Sequence, residues 1–198
     1  MQTEIEVKFL NVDHDEIRSK LKELGALLEY PMRLMRRSIM DYEDERLQKD
    51  NSYIRVRDEG DKITLTFKKF HAQSVDGAKE LAAVVDDYDT TIKLLEAVGL
   101  TVCSQQESKR EAWQLGECEV VLDEWPWLKP YIEIEGPSEM LLRETAKLLG
   151  FDWGDAAFGD VTVAYLAEYD VPAEKVAKNP RALFSDPAPE WLASARKA

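Results

Sequence analysis

The sequence predicts an α+β fold in which an antiparallel sheet packs its apolar face against helices. Segments in which apolar and charged residues alternate recur along the chain, and this alternation is typical of strands with two different faces. Capped amphipathic helices that end at glycine lie between these segments. The hydrophobic fraction of 44% over 198 residues is enough for one folded core.

The first strand is predicted at the N-terminus. Residues 4–9 read Glu-Ile-Glu-Val-Lys-Phe, which alternates strictly. Glu4, Glu6 and Lys8 therefore share one face of a strand, and the apolar residues share the other.

A helix is predicted next, over residues 13–28. Asp13 is a suitable N-cap, and an apolar stripe at helical spacing extends to Leu28. Gly25 is a second candidate for the end of this helix.

The remaining elements follow in chain order. Residues 53–57 and 62–68 alternate on either side of a polar turn at 58–61, so they predict a β-hairpin. We then expect a strand at 79–85, a helix at 89–98, a second hairpin over 107–115 and 119–123, a strand at 131–135 and a helix at 138–149.

Charged residues occupy the strand faces opposite the apolar ones. Exposure to solvent explains this pattern for any single strand. Four or five strands with the same pattern favour another arrangement, because the three predicted helices need the apolar faces for packing. If the sheet closes on itself, the charged faces meet in a shared interior.

Such an interior would contain two classes of charge. The carboxylates suited to Mg²⁺ or Mn²⁺ are Glu4, Glu6, Glu80, Asp123, Glu133 and Glu135. The cations suited to phosphate oxygens are Lys8, Arg55, Arg57, Lys68 and Arg110. Alternation relative to Trp113 places Arg110 inward and Lys109 outward. Acids and bases together favour a divalent metal that holds a polyphosphate.

Several short motifs occur together and in a fixed order. They are Glu4-Ile5-Glu6-Val7-Lys8, Ile54-Arg55-Val56-Arg57, Thr64-Leu65-Thr66-Phe67-Lys68, Glu80, Lys109-Arg110, Leu122-Asp123 and Tyr131-Ile132-Glu133-Ile134-Glu135. Over residues 1 to about 170 this set resembles the CYTH superfamily, the triphosphate tunnel metalloenzymes. The resemblance implies a closed barrel of eight antiparallel strands with helices outside and a tunnel that holds a triphosphate.

The resemblance also implies a role for each matched residue. Glu4, Glu6, Glu133 and Glu135 would hold the activating Mg²⁺ or Mn²⁺, and Asp123 and Glu80 would complete the metal or water shell. The phosphates would contact Lys8, Arg55, Arg57, Lys68 and Arg110, with Arg37 and Lys109 as further candidates. The candidates for catalysis are Lys8, Glu6 and Glu80.

The activity that the resemblance favours is metal-dependent hydrolysis of a linear triphosphate. One alternative is a class IV adenylyl cyclase, which makes cyclic AMP and pyrophosphate from ATP. Another is a module that binds a triphosphate without turnover. Two departures from the family pattern motivate this last alternative: Ala82 stands where many members have a second glutamate, and Val163-Ala164 stands where many have Lys-Ser.

The composition argues against several other classes. A net charge of −13 disfavours nucleic acid and anionic membranes as partners. The sequence shows no apolar run of membrane-spanning length and no signal peptide. Cys103 and Cys118 lack metal-ligand spacing, and His14 and His71 are expected at the surface. We therefore expect a cytoplasmic protein. Its expected partner, a small molecule that contains a triphosphate, is what the resemblance implies, and we expect a monomer or homodimer.

The end of the chain differs in composition from the rest. Residues 1–170 are expected to form the tunnel domain, and residues 171–198 a proline-containing tail. Either the tail contains a short helix around 189–196 that docks Trp191 and Leu192 on the body, or it is mostly mobile. The aromatic segment 125–130 is expected to pack over one end of the barrel.

Overall fold

A computed structural model describes residues 1–197 as an antiparallel sheet that nearly closes into a barrel, with helices on its outer face. The strands are β1 (Gln2–Glu4), β2 (Glu6–Leu10), β3 (Leu27–Tyr42), β4 (Ser52–Asp58), β5 (Ile63–Phe70), β6 (Ala78–Val85), β7 (Leu100–Leu115), β8 (Cys118–Glu124), β9 (Tyr131–Glu135) and β10 (Arg181–Ala182). The helices are α1 (His14–Glu23), α2 (Arg46–Lys49), α3 (Tyr88–Ala97), α4 (Glu139–Leu148), α5 (Thr162–Glu168), α6 (Ala173–Ala177) and α7 (Glu190–Ala193). None of the helices in residues 1–197 has the length and hydropathy needed to span a membrane.

The order of the strands explains the near-closure of the barrel. It runs β1-β6-β5-β4-β3-β7-β8-β9-β2, with antiparallel neighbours throughout. Because β1 and β2 are one N-terminal segment interrupted at Ile5, this segment pairs with β6 on one side and with β9 on the other. The loop before β6 covers the interruption, since the Glu6 amide donates to the Val75 carbonyl at 3.0 Å. The predicted fold class is confirmed, but the barrel has nine strands rather than eight, because Ile5 divides the first one.

The outward strand faces and the helices form the main core. Val7 and Phe9 of β2 pack against Ile17 and Leu21 of α1 and Leu142 of α4, and all five side chains are buried. A second cluster lies between α3 and strands β3, β4 and β7. Since the apolar faces are used for this packing, the charged faces of the same strands point into the barrel.

The first helix is shorter than predicted. It ends at Glu23, because Gly25 adopts a φ of +74°, a left-handed conformation that suits glycine at a helix end. The prediction that the helix reaches residue 28 is therefore wrong, and β3 begins at Leu27. The sequence did not predict this long strand, because register shifts on either side of Tyr30 break its alternation.

The C-terminal tail packs on the body of the protein. β10 pairs in parallel with β7, with Arg181 opposite Gln105. The predicted short helix is present as α7, and its Leu192 is buried against Tyr165 and Tyr169. Of the two alternatives for the tail, the described residues therefore match the one in which a short helix docks on the body. Ala198, the last residue of the predicted tail, lies outside the described residues, and the domain division at residue 170 stays a prediction.

Candidate active site

The inward strand faces form a chamber lined with charged side chains. Directly opposed residues on neighbouring antiparallel strands lie on the same face of a sheet. The opposed inward pairs are Lys8 with Glu133, Arg110 with Asp123, Arg33 with Arg110, Arg37 with Arg57, and Lys68 with Glu80. The barrel therefore brings acids and bases from eight strands into one space.

Two lysines lie among the carboxylates of this chamber. Lys8 Nζ lies 2.8 Å from a Glu133 oxygen and 3.1 Å from a Glu6 oxygen, and the side chain is only 3% exposed. Lys68 contacts Glu4 and lies 3.7 Å from Glu6. Burial alone would lower the pKa of both ammonium groups, but the carboxylates outweigh it and hold both pKa values above the ordinary range. Both lysines are therefore cationic at neutral pH.

Arg110 and Asp123 form a buried bidentate pair. The two N···O distances are 2.8 and 2.5 Å, and Asp123 is fully shielded from solvent. Arg110 also lies 3.6 Å from Glu133. Burial raises the pKa of Glu133, but Lys8 and Arg110 outweigh this and hold it well below its usual range. Glu133 is thus an ionised carboxylate between two cations.

A cluster of arginines lies beside this network. Burial, followed by repulsion from Arg57, Arg55 and Arg110, lowers the pKa of Arg37 to about 9. Burial and repulsion from Arg55 and Arg110 likewise lower the pKa of Arg57 to about 10. The Nε atoms of Arg37 and Arg55 are buried, and neither has a hydrogen-bond partner in the described chain. Buried cations without enough counter-charge are the environment that an anionic ligand stabilises.

Trp125 and Tyr131 lie at the inner end of the arginine cluster. The guanidinium of Arg37 lies over the Trp125 ring at 4.4 Å and donates a short hydrogen bond to Ser108. Trp125 and Tyr131 are buried together with Ala164 of α5. The prediction that this aromatic segment packs over one end of the barrel is confirmed for Trp125.

Two carboxylates of the chamber, Glu80 and Glu135, form no ion pair with a lysine or arginine among residues 1–197. Glu80 Oε2 is buried, and residues 1–197 offer it no hydrogen-bond partner. Glu135 is more exposed, yet burial and then repulsion from Glu133, Glu4 and Glu6 raise its pKa to about 7. This repulsion is the environment that a divalent cation relieves. In the ligand-free chain, however, no three Asp, Glu, His or Cys side chains among the described residues converge on one metal position.

Comparison with known proteins establishes the family. The profile of the CYTH domain matches residues 2–152, which is most of the chain. The chain belongs to the CYTH family. A search of curated proteins found no match.

Solved structures share the CYTH fold at low sequence identity. A candidate adenylate cyclase from Vibrio parahaemolyticus has a TM-score of 0.72 and 16% identity, and the match covers 82% of this chain and 97% of that one. A candidate adenylyl cyclase from Hippeastrum, described as having a dominant triphosphatase activity, has a TM-score of 0.58 and 17% identity, with 86% and 99% covered. PH1012 from Pyrococcus horikoshii has a TM-score of 0.65 and 22% identity, with 77% and 93% covered. These similarities show the fold.

Most of the predicted site residues meet in the CYTH chamber. The structure brings together Glu4, Glu6, Lys8, Arg37, Arg55, Arg57, Lys68, Glu80, Arg110, Asp123, Glu133 and Glu135. Lys109 lies apart, because alternation turns it to the outer face, where it pairs with Glu124 at 3.3 Å. His14 was expected at the surface, which is wrong: it is buried, and its Nε2 lies 3.1 Å from the Tyr131 carbonyl.

Three further charged residues belong to the CYTH chamber and were not predicted. Glu59 accepts hydrogen bonds from Arg57 and Thr64 and is only 3% exposed. It was assigned to a turn, although it continues the inward alternation of residues 55 and 57. Glu119 lies opposite Glu135, and burial raises its pKa. Arg33 was hidden by the register shifts around Pro31.

Proposed function

We propose that this CYTH protein hydrolyses a linear triphosphate, inorganic or organic, in a reaction that depends on a divalent metal. The observation that carries the proposal is the cluster of Arg37, Arg55 and Arg57: Arg57 pairs with Glu59, but the buried Nε atoms of Arg37 and Arg55 have no hydrogen-bond partner among residues 1–197, and repulsion between the arginines lowers the pKa values of Arg37 and Arg57. A bound polyphosphate supplies the missing negative charge. Family membership and structural neighbours named as cyclase and triphosphatase support an enzymatic role.

Phosphate binding would occur by exchange of ion pairs. In the ligand-free chamber Lys8, Lys68 and Arg110 are held by carboxylates. Arginine forks match phosphate oxygens bidentately, and lysine acts as a compact point charge. The arginines would therefore fix the orientation of the phosphate chain, and the lysines would stabilise charge that develops during P–O cleavage.

Glu4, Glu6, Glu133 and Glu135 would hold Mg²⁺ or Mn²⁺, with Glu80 and Asp123 completing the surrounding shell. Carboxylate oxygens are the ligands that these hard cations prefer, and the repulsion at Glu135 and the unpartnered oxygen of Glu80 fit this role. When bound, the ion supplies charge neutralisation on the phosphate oxygens. Asp123 fits less directly, since Arg110 engages both of its oxygens.

The proton transfers involve the carboxylates rather than Lys8. Lys8 is held in its charged form by Glu133 and Glu6, so it has no lone pair with which to accept a proton. Glu80 Oε2 is buried and free to accept a hydrogen bond from the attacking water. In hydrolysis the water oxygen bonds to the terminal phosphorus as the bridging P–O bond breaks, and diphosphate or its ester leaves. Glu80 would orient the water and take its proton.

Product analysis tests this proposal. Purified protein is incubated with tripolyphosphate, thiamine triphosphate or ATP, with Mg²⁺, Mn²⁺ or EDTA, and the products are separated by chromatography. We expect orthophosphate that requires the metal. Glu133→Gln should reduce the rate at least 100-fold, because it removes a chamber charge. Glu124→Gln is the matched control, since Glu124 also pairs with a lysine but on the outer face of the neighbouring strand, and it should retain the rate.

The alternatives give different results in the same assay. Cyclic AMP and pyrophosphate from ATP would assign the adenylyl cyclase reaction instead. Tight binding of a triphosphate without any product would assign a binding module. Equal rates for the Glu133→Gln and Glu124→Gln variants would contradict the assignment of the chamber as the active site.

A further inference from the structure

Arg33 is an inward-facing cation that lies outside the motifs shared with the family pattern. It lies directly opposite Arg110 in the β3–β7 ladder, so the two side chains share the chamber face. Two register shifts, one between Leu28 and Tyr30 and one between Tyr30 and Arg33, precede it in β3. Bulges of this kind often redirect side chains beside active sites.

The contacts of Arg33 hold its guanidinium but leave one donor free. The guanidinium carbon lies 3.8 Å from the centre of the Tyr30 ring, and one terminal nitrogen lies 3.0 Å from Asp61. The Nε atom is buried and finds no hydrogen-bond partner within the described part of the chain. Buried donors normally have a partner, and a phosphate oxygen of a ligand would supply an acceptor for this one.

Arg33 lies nearer to solvent than Arg37, at what we call the open end of the chamber: its side chain is 20% exposed, whereas Arg37 is 7% exposed. Its partner Asp61 belongs to the β4–β5 turn, and the Asp61 side chain is 61% exposed. Arg37, four residues further along β3, lies beside the buried Trp125 at the closed end. Four residues of strand span about 13 Å. The two arginines therefore mark the outer and inner limits of the cationic lining on β3.

We propose that Arg33 binds the outermost phosphate of the substrate and gives the protein a preference for inorganic over organic triphosphates. This inference rests on the proposed function. A triphosphate that enters through the open end leaves one terminal group near Arg33. In tripolyphosphate that group is a terminal phosphate, with a charge of about −1.5 to −2 at neutral pH. In an organic triphosphate it is an esterified phosphate with one negative charge and fewer free oxygens.

Tyr30 and Asp61 act as positioning residues in this proposal. The Tyr30 ring fixes the plane of the guanidinium, and Asp61 occupies its outer edge in the free protein. Exposed ion pairs contribute little free energy, so a phosphate dianion can replace Asp61 at small cost. The buried Nε then donates a charge-assisted hydrogen bond to the same phosphate.

The chain offers a matched control for Arg33. Arg36 also pairs with an aspartate of the same hairpin, Asp58, at 3.0 Å, and it also lies over a tyrosine ring, Tyr88, at 4.5 Å. It differs in facing outward, and its side chain is 54% exposed. Arg33→Gln and Arg36→Gln therefore remove similar contacts on opposite sides of the barrel wall.

The test measures kcat/KM for tripolyphosphate and for ATP in the wild type and both variants. Arg33→Gln should lower kcat/KM for tripolyphosphate by about 10- to 100-fold, the effect of one lost charge-assisted hydrogen bond. For ATP the loss should be no more than about threefold, and Arg36→Gln should change both values by less than twofold. An equal loss for both substrates, or no loss, would overturn the proposal.

A binding measurement separates this inference from the proposed function. If the wild type hydrolyses neither substrate, the proposed function fails, and calorimetric titration of metal-free protein with tripolyphosphate and ATP decides the role of Arg33. Weaker binding of tripolyphosphate alone by Arg33→Gln, by at least tenfold, supports that role. Unchanged or equally weakened binding of both refutes it. Circular dichroism at the assay temperature verifies that both variants are folded.

Discussion

Replacing Lys8 by methionine tests whether the chamber depends on internal ion pairs. Lys8 is buried, and its ammonium group lies within 3.1 Å of both Glu6 and Glu133. Methionine has a similar length but no charge, so Lys8→Met leaves two buried carboxylates without this cation. We expect a large loss of stability at neutral pH that becomes smaller in acid.

The contact geometry sets the size of this effect. At 2.8 Å from Glu133, the direct attraction is about 6 kcal/mol for an effective dielectric constant near 20. Burial of the charges offsets part of this attraction, and removal of one partner from a buried pair typically costs about 3–5 kcal/mol. For a chain of 198 residues, each kcal/mol corresponds to about 2–4 °C. The melting temperature should therefore fall by roughly 6–20 °C.

Thermal denaturation at pH 7 and pH 5, followed by circular dichroism, measures this effect. Without Lys8, the buried Glu133 loses the cation that contributes most to its ionised form, so the variant should regain stability as the pH falls and Glu133 takes up a proton. Lys109→Met is the control, because Lys109 pairs with Glu124 in a partly exposed contact worth at most about 1 kcal/mol. If Lys8→Met were no less stable than Lys109→Met at pH 7, the reasoning about buried charge in the chamber would be refuted.

Three further predictions concern pH, binding and the tail. Because the pKa of Glu135 is raised from 4.5 to about 7, its contribution to stability is lost as the pH rises through this range. Melts of metal-free protein should show a decline that Glu135→Gln reduces; an unchanged decline would contradict it. Arg57→Gln should weaken tripolyphosphate binding at least tenfold in calorimetry, whereas the exposed Arg46→Gln should not; equal affinities would argue against the arginine cluster. Leu192→Ala should cost about 2–5 kcal/mol and expose the tail to proteases, unlike the exposed Leu148→Ala; equal melting temperatures would mean that the tail is not part of the cooperative fold.

Alternation in the sequence was sufficient to predict the chamber-facing side of most strands. Glu6 and Lys8, and Arg55 and Arg57, occur at alternate positions in segments with a clear period of two. A strand in which apolar and charged residues alternate has one apolar and one charged face. Because the helices pack on the apolar face, the charged face points into the barrel. The inward position of Arg110 followed from the same argument.

The rest depended on geometry that a residue pattern does not encode. The long strand β3 was missed because bulges around Pro31 shift its alternation, and Arg33 was missed with it. Glu59 looked like a turn residue because the turn begins only one residue later. His14 can be buried because its ring nitrogen Nε2 has a hydrogen-bond partner in the carbonyl of Tyr131. This is a tertiary contact with a strand far away in the sequence. The ion-pair distances and the directions of the pKa shifts could not be predicted from the sequence, because they depend on how the strands come together in the barrel.

The most direct test of the central claim is ³¹P NMR of tripolyphosphate with the protein, before and after addition of Mg²⁺. Before the metal is added, the phosphate resonances should shift or broaden with the wild type and change much less with Arg57→Gln at the same concentrations. After Mg²⁺ is added, the wild-type sample should convert tripolyphosphate to diphosphate and orthophosphate. A spectrum identical to that of free tripolyphosphate, before and after Mg²⁺, would contradict the claim that the CYTH chamber binds and hydrolyses a triphosphate.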